Sequence, residues 1–194
     1  MTGSVHFVDD EDLLRLRVVD VAVAVPAGPG VEAGLVTLQE DDPPRRLLRI
    51  YVGQPEARAI RVSWRQEVPS RPSTWDLFVS TIGLLGGRVE SAILSDVEGG
   101  RHFFAHLVIR QGGTDGVGPL LVTARPSDAI AVALRSYGAA IWARRRVIEA
   151  AGVDPVEGPG VGGPAGPEPS AETATEAATG TEAATEPVAG SGPH

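Results

Sequence analysis

The apolar positions of the chain follow two spacings. Over residues 15–25, Leu16, Val18, Val21, Val23 and Val25 recur at nearly every second place, which predicts a partly buried strand, with residues 26–30 closing it as a loop. Residues 35–40 and 47–52 are two more strand-like runs on either side of an Asp41-Asp42-Pro43-Pro44 turn, so this part reads as a meander. At Gly53-Gln54-Pro55-Glu56 the spacing lengthens. Proline near the first turn and an acid at the positive end of the dipole open a helix, whose inner face would carry Ala57, Ile60, Trp64 and Val68.

Pro69 and Pro72 break that helix, and Ser73-Thr74-Trp75-Asp76 has the form of a capping box, in which Ser73 and Asp76 satisfy free amides at the next helix start. Phe78, Ile82 and Leu85 follow at helical spacing until Gly86-Gly87. Residues 89–97 and 102–110 read as a hairpin around Glu98-Gly99-Gly100-Arg101, residues 112–119 as a flexible loop and residues 120–124 as a further strand. Arg125-Pro126-Ser127-Asp128 opens the cleanest helix, with Ser127 as its expected N-cap and Ile130, Ala133, Leu134 and Tyr137 on one face before Gly138. A short strand over 140–143 and a terminal helix over 144–151 complete the pattern. Strands grouped between helices predict an α+β fold: a compact single domain with a mixed, mostly antiparallel sheet and packed helices.

Composition changes after residue 152. Residues 151–194 of the 194-residue chain hold nine Gly and seven Pro but no aromatic residue and no Leu, Ile or Met, so little offsets the entropy of ordering them. The expected organisation is an N-terminal extension over 1–14, a folded domain over 15–152, and a disordered acidic tail rich in Gly, Pro, Ala and Thr over 153–194. Within that tail Thr175-Glu176-Ala177-Ala178-Thr179 recurs as Thr181-Glu182-Ala183-Ala184-Thr185, a solubilising segment or else a docking motif.

Charge divides at the same place. All 17 basic residues are arginines, the last being Arg146; residues 1–150 set 18 acids against them, a net of −1, whereas residues 151–194 hold seven acids and no base. A near-neutral domain is not an obvious nucleic-acid binder by bulk charge, so such a contact needs a local arginine patch. Arg45, Arg46 and Arg49, the helical face Arg58, Arg61 and Arg65, and Arg144-Arg145-Arg146 beside Trp142 are the candidates, with solvated charge as the plainer reading. If these stripes join, the acidic tail could cover them as an internal competitor.

With no cysteine there is no disulfide framework, thiolate nucleophile or zinc knuckle. With no lysine there is no phosphate-binding Gly-x-x-x-x-Gly-Lys loop, and no Gly-x-Ser-x-Gly elbow occurs, so ATPase and serine-hydrolase readings fall away. Asp9, Asp10, Glu11 and Asp12 stand where a secretory signal needs basic and then apolar residues, and no apolar run approaches the roughly 18–20 residues of a membrane span. A cytoplasmic protein without a membrane partner is expected.

The chemistry concentrates at a repeated tripeptide. Arg71-Pro72-Ser73 and Arg125-Pro126-Ser127 each open a helix whose first turn carries an aspartate, Asp76 or Asp128. Proline keeps the preceding arginine extended beside free helix N-terminal amides, an arrangement suited to phosphate, and a nearby carboxylate could hold a divalent metal or orient water. The alternative is a turn and cap in which each arginine pairs with an aspartate to lock the helix starts. His102 and His106, four apart, would share a helix face as metal ligands, but on a strand they stand about 13 Å apart, too far for one ion.

Three segments, Leu48-Arg49-Ile50-Tyr51-Val52-Gly53-Gln54-Pro55-Glu56-Ala57-Arg58-Ala59-Ile60, Arg71-Pro72-Ser73-Thr74-Trp75-Asp76-Leu77 and Ala124-Arg125-Pro126-Ser127-Asp128-Ala129-Ile130-Ala131-Val132-Ala133-Leu134-Arg135, resemble in order and spacing a divergent bacterial member of the bifunctional nuclease (BFN) domain family. The resemblance implies an α+β domain, DNase and RNase activity and a homo-oligomer. On that reading nucleic acid is the substrate, Asp76, Asp128 and Glu56 are catalytic, and Arg71, Thr74, Arg125 and Ser127 bind substrate. Asp76 and Asp128 are the candidate ligands of a divalent metal such as Mg²⁺. The chain departs from the family pattern Arg-Pro-x-Thr-His-Asp by carrying Trp75 where histidine is usual, and residues 112–119 look like an insertion. Indole neither accepts a proton nor ligates a metal, so the second expectation is a catalytically inactive oligomeric binding or regulatory module.

Overall fold

The structure, a computed structural model, describes residues 12–112 and 118–155. Most of the expected N-terminal extension, residues 113–117 of the expected loop and the expected tail beyond residue 155 lie outside the described residues. In chain order the elements are β1 (Leu13–Gly28), β2 (Val31–Glu40), β3 (Leu47–Val52), α1 (Gln54–Trp64), α2 (Thr74–Leu84), β4 (Gly87–Glu98), β5 (His102–Gln111), β6 (Leu120–Ala124), α3 (Pro126–Ala133), β7 (Ala140–Arg144), α4 (Arg145–Ala151) and β8 (Gly152–Val153). This is the expected α+β architecture. The strands form one mixed sheet in the order β6-β5-β4-β7-β1-β2-β3-β8. Only the β4 and β7 neighbours run parallel, and the others pair antiparallel.

The expected loop over 26–30 is mostly strand. β1 runs on to Gly28, and Pro29-Gly30 alone makes the turn, with Gly30 at φ 70, the left-handed value a Pro-Gly turn needs at its second position. Register shifts near Val25 and Pro26 let the proline sit in a bulged, two-stranded stretch. Val68, expected on the inner face of α1, lies beyond its end and is 94% exposed, because Gln66 turns left-handed (φ 55) and the chain leaves the helix axis. The expected N-cap of α3 also moves. Arg125 is the cap residue, Pro126 takes the first helical place where a missing N–H costs nothing, and Ser127 is buried inside the first turn. Tyr137, expected on the inner face of α3, follows its end and is fully exposed.

One hydrophobic core joins the sheet to the helices. Leu38, Leu48, Ile60, Leu94, Ile130 and Ile148 are fully buried in it, drawn from three strands and three helices. At Gly34 on β2 a Cβ would overlap that of Ala57, so α1 rests on the sheet at backbone distance. That close approach sets the start of α1 beside the start of α3.

Candidate functional site

Helix starts supply the charged groups. Arg125, extended (φ −66, ψ 147) at the start of α3, turns its guanidinium back onto its own first turn: Nε donates to Asp128 Oδ2 at 2.8 Å and Nη2 to Asp128 Oδ1 at 3.2 Å. The same Nη2 donates to Glu56 Oε1 at 3.1 Å, from the first turn of α1, so two carboxylates bracket one nitrogen. The hydrogen bonds that Arg125 donates to Asp128, then the charges of Asp128 and Glu56, hold the Arg125 pKa above its already high ordinary value. The Arg125 side chain is 66% exposed, however, which leaves it free to turn outward.

The start of α2 is a complete capping box. Ser73 N and Oγ donate to Asp76 Oδ2 at 2.7 and 2.5 Å, and the Ser73 hydroxyl caps the Asp76 amide. Arg135, just past α3 and only 8% exposed in its side chain, donates from Nε to Asp76 Oδ1 at 3.0 Å and from its other nitrogens to the carbonyls of Ala131 and Ala59. Burial pushes the Asp76 pKa up, but the Ser73 hydrogen bonds and the Arg135 guanidinium outweigh it and leave the carboxyl below its ordinary range. Arg135 also lies over Trp75, 5.7 Å from the ring centroid. The Trp75 indole in turn donates from Nε1 to Asp128 Oδ1 at 3.2 Å, which ties the α2 start to the α3 start.

A cleft of about 400 Å³ opens beside this network, between α1 and the α2 start. Trp75, Asp76, Ser73 and Arg135 form one side, and Pro55, Arg58, Ala59 and Val62 of α1 the other. Residues 36–155 match the bifunctional nuclease domain family.

The chain belongs to the bifunctional nuclease domain family. Two similar relatives are the proteins named Uncharacterized protein MT1877 and Uncharacterized protein Rv1829, from two strains of Mycobacterium tuberculosis. Each is 33% identical over 139 residues, covering 72% of this chain and 76% of the relative.

Within this bifunctional nuclease domain the expected site residues separate. Glu56, Arg125 and Asp128 meet, and Asp76 joins them only through Trp75 and Arg135. Arg71 and Thr74 are exposed at the α2 start, and Ser127 is buried. The two Arg-Pro-Ser repeats thus differ: the second pairs its arginine with its own aspartate, while Asp76 pairs with Arg135 instead. Sequence reading gave Arg135 no role, although the third family segment ends on it. A lone arginine directly after the apolar run Ala129 to Leu134 is the signal that could have found it. His102 and His106 stand on β5, outside the lining of the cleft. Of the arginine candidates, Arg46 is tied to the buried Glu40 at 2.9 Å and Arg146 to Asp96 at 3.1 Å, while Trp142 stacks on Arg15 rather than on its neighbours.

Among the described residues no three His, Asp or Glu gather as metal ligands. Glu56 and Asp128 nevertheless form a two-carboxylate pair whose oxygens converge on a cation, the Nη2 of Arg125. That hard, oxygen-only donor set suits Mg²⁺, which is commonly held by one or two carboxylates with water and substrate phosphate completing its shell. Asp76 stands apart from this pair: its partners are the Ser73 cap and the buried Arg135, whereas Glu56 and Asp128 share the exposed Arg125.

Proposed function

We propose that this bifunctional nuclease domain hydrolyses phosphodiester bonds in DNA or RNA at the Glu56, Arg125 and Asp128 cluster. One observation carries the reading: residues 69 positions apart, on the family's first and third segments, converge at two helix starts on a half-exposed arginine–carboxylate group. Arg125 turns from the carboxylates to the non-bridging phosphate oxygens, a bidentate match it makes better than a point charge. That movement frees Glu56 and the Oδ2 of Asp128 to orient a water and accept its proton, while the Trp75 indole keeps its hold on Oδ1. A divalent cation such as Mg²⁺ held by the two would neutralise phosphate charge and lower the pKa of water. Arg71 and Thr74 extend the phosphate contact along the α2 start, while Ser127 and Asp76 position the helix starts.

The reading includes a cytoplasmic site of action. No helix among the described residues is long and apolar enough to cross a membrane. It also includes a homo-oligomer, favoured by exposed Leu77, Leu84 and Leu85 on and just past α2 and by Leu120 and Leu121 on the edge strand β6.

A second reading is a binding module without catalysis. Trp75 favours it, since an indole N–H fixed on Asp128 replaces the proton acceptor usual in the family. Labelled single-stranded and duplex DNA and RNA, incubated with purified protein in Mg²⁺, Mn²⁺ or EDTA, decide between them. Metal-dependent cleavage should fall by about 100-fold or more in Asp128→Ala and in Glu56→Gln, in keeping with loss of a general base. Retained nucleic-acid binding with no cleavage under any condition establishes the binding module instead, and cleavage that persists in both variants places the site elsewhere.

A further inference from the structure

The cleft beside the charged cluster has no part in the hydrolysis just described. Its walls include a flat aromatic ring, Trp75, and the apolar surfaces of Pro55, Ala59 and Val62; its polar groups are Gln54, Arg58, Arg135 and the Ser73–Asp76 box. Flat apolar walls with polar groups at the edge match a nucleobase, which has two apolar faces and a hydrogen-bonding rim. Two arginines against one aspartate make the lining net positive, which complements a phosphate-bearing ligand rather than a neutral one.

Trp75 is held for this purpose on two sides. Arg135, buried and anchored to Asp76, Ala59 and Ala131, covers part of the ring, and the indole N–H is fixed on Asp128. A ring so clamped loses little side-chain entropy when a base stacks on it, and the Arg135 guanidinium, which also lines the cleft, adds to the stacking surface. Asp128 belongs to the cluster proposed for hydrolysis, so a base on Trp75 lies next to the phosphate that Arg125 would grip.

We infer that this cleft is a nucleobase subsite: Trp75 stacks one unpaired base of a single-stranded nucleic acid, and Arg58 on the α1 wall meets the phosphate attached to it. The inference rests on the proposed function for its choice of polymer, but binding can be measured without cleavage. In duplex the bases are stacked on one another, so the subsite selects single strands or frayed ends.

The experiment titrates the full chain, in EDTA to prevent turnover, with a five-nucleotide adenine DNA oligonucleotide, the same oligonucleotide with abasic sugars, AMP, adenosine and ribose 5-phosphate. The indole N–H resonance of Trp75, assigned by its loss in Trp75→Phe, and fluorescence report binding. Expected is a saturable shift of that resonance with the adenine oligonucleotide, a weaker one with AMP, and little with either baseless compound. Trp75→Ala should weaken oligonucleotide binding about tenfold or more, the usual effect of removing one stacking aromatic. Trp75→Phe, which keeps a ring, should retain most of it, and Arg58→Ala should weaken AMP more than adenosine. Thermal melts of each variant confirm that it is folded. Equal affinity for adenine and abasic oligonucleotides, or undiminished binding by folded Trp75→Ala, overturns the subsite, and AMP binding as tightly as the oligonucleotide overturns its assignment to a polymer strand. Base-dependent shifts in a protein that cleaves nothing leave the subsite standing and remove the nuclease reading. Cleavage without a Trp75 response does the reverse.

Discussion

A carboxylate can serve a helix start or a reaction, and its partners decide which. Asp76 has both oxygens occupied by Ser73 and Arg135, and its folded pKa lies below the ordinary 3.8. A depressed carboxyl contributes stability that is complete above the unfolded pKa and lost as pH falls through the folded one. Asp76→Asn should therefore cost about 1 kcal/mol near neutral pH, the scale of a lost cap. Chemical denaturation as a function of pH should show that deficit shrinking below about pH 4, where wild type loses the same charge; a deficit that persists unchanged in acid contradicts this role. Position 75 makes the complementary case. Trp75→His returns an imidazole beside Asp128 and should raise the cleavage rate at pH 7 by about tenfold or more, since a positioned base is worth 10²–10⁴. A rate no higher than wild type in a folded Trp75→His protein means that the missing histidine is not what limits this chain.

At the scale of elements, the site depends on how closely α1 lies on the sheet. Gly34 permits that approach, because any Cβ there would overlap Ala57. Gly34→Ala should lift the start of α1, with a stability loss of about 1–3 kcal/mol from overpacking. Glu56 and Arg58 move with that helix start, so cleavage should fall in the same variant although residue 34 touches no substrate. Denaturant melts and the cleavage assay check the two effects together, and a stable, fully active Gly34→Ala protein shows that the close approach is dispensable. The α2 start is defined by its own capping box, whereas the α3 start relies on Pro126 and on the arginine folded back to Asp128.

For the whole molecule, the helices do not cover all the apolar surface. Leu84 and Leu85 are 88% and 74% exposed at the end of α2, and Leu120 and Leu121 lie on an edge strand with one side of its backbone unpaired within the described sheet. A monomer would leave this surface to water, so light scattering should find an oligomer, and Leu84→Glu with Leu120→Glu should reduce its mass to that of one chain. A monomeric wild type overturns the oligomer. Because the cluster of Glu56, Arg125 and Asp128 is assembled within one chain, isolated protomers should still bind oligonucleotide.

The sequence by itself determined the α+β class, the order of elements from β1 to α4, the α2 capping box and the family, since each depends on local spacing or on a short motif, but not the two-residue β8, which only its pairing with β3 defines. It misplaced the turn at Pro29-Gly30, the cap of α3 and the outer limits of two helix faces, where proline in a bulge or a left-handed residue alters a local rule. The candidate residues Glu56, Arg125 and Asp128 were legible as types at helix starts. That Glu56 meets the Arg125–Asp128 pair, that Asp76 is diverted to Arg135, and that Trp75 is clamped between Arg135 and Asp128 were decided by tertiary structure alone. Those contacts join residues more than 50 positions apart, and the sheet and the close seat of α1 on Gly34 fix their distances, which no local periodicity encodes.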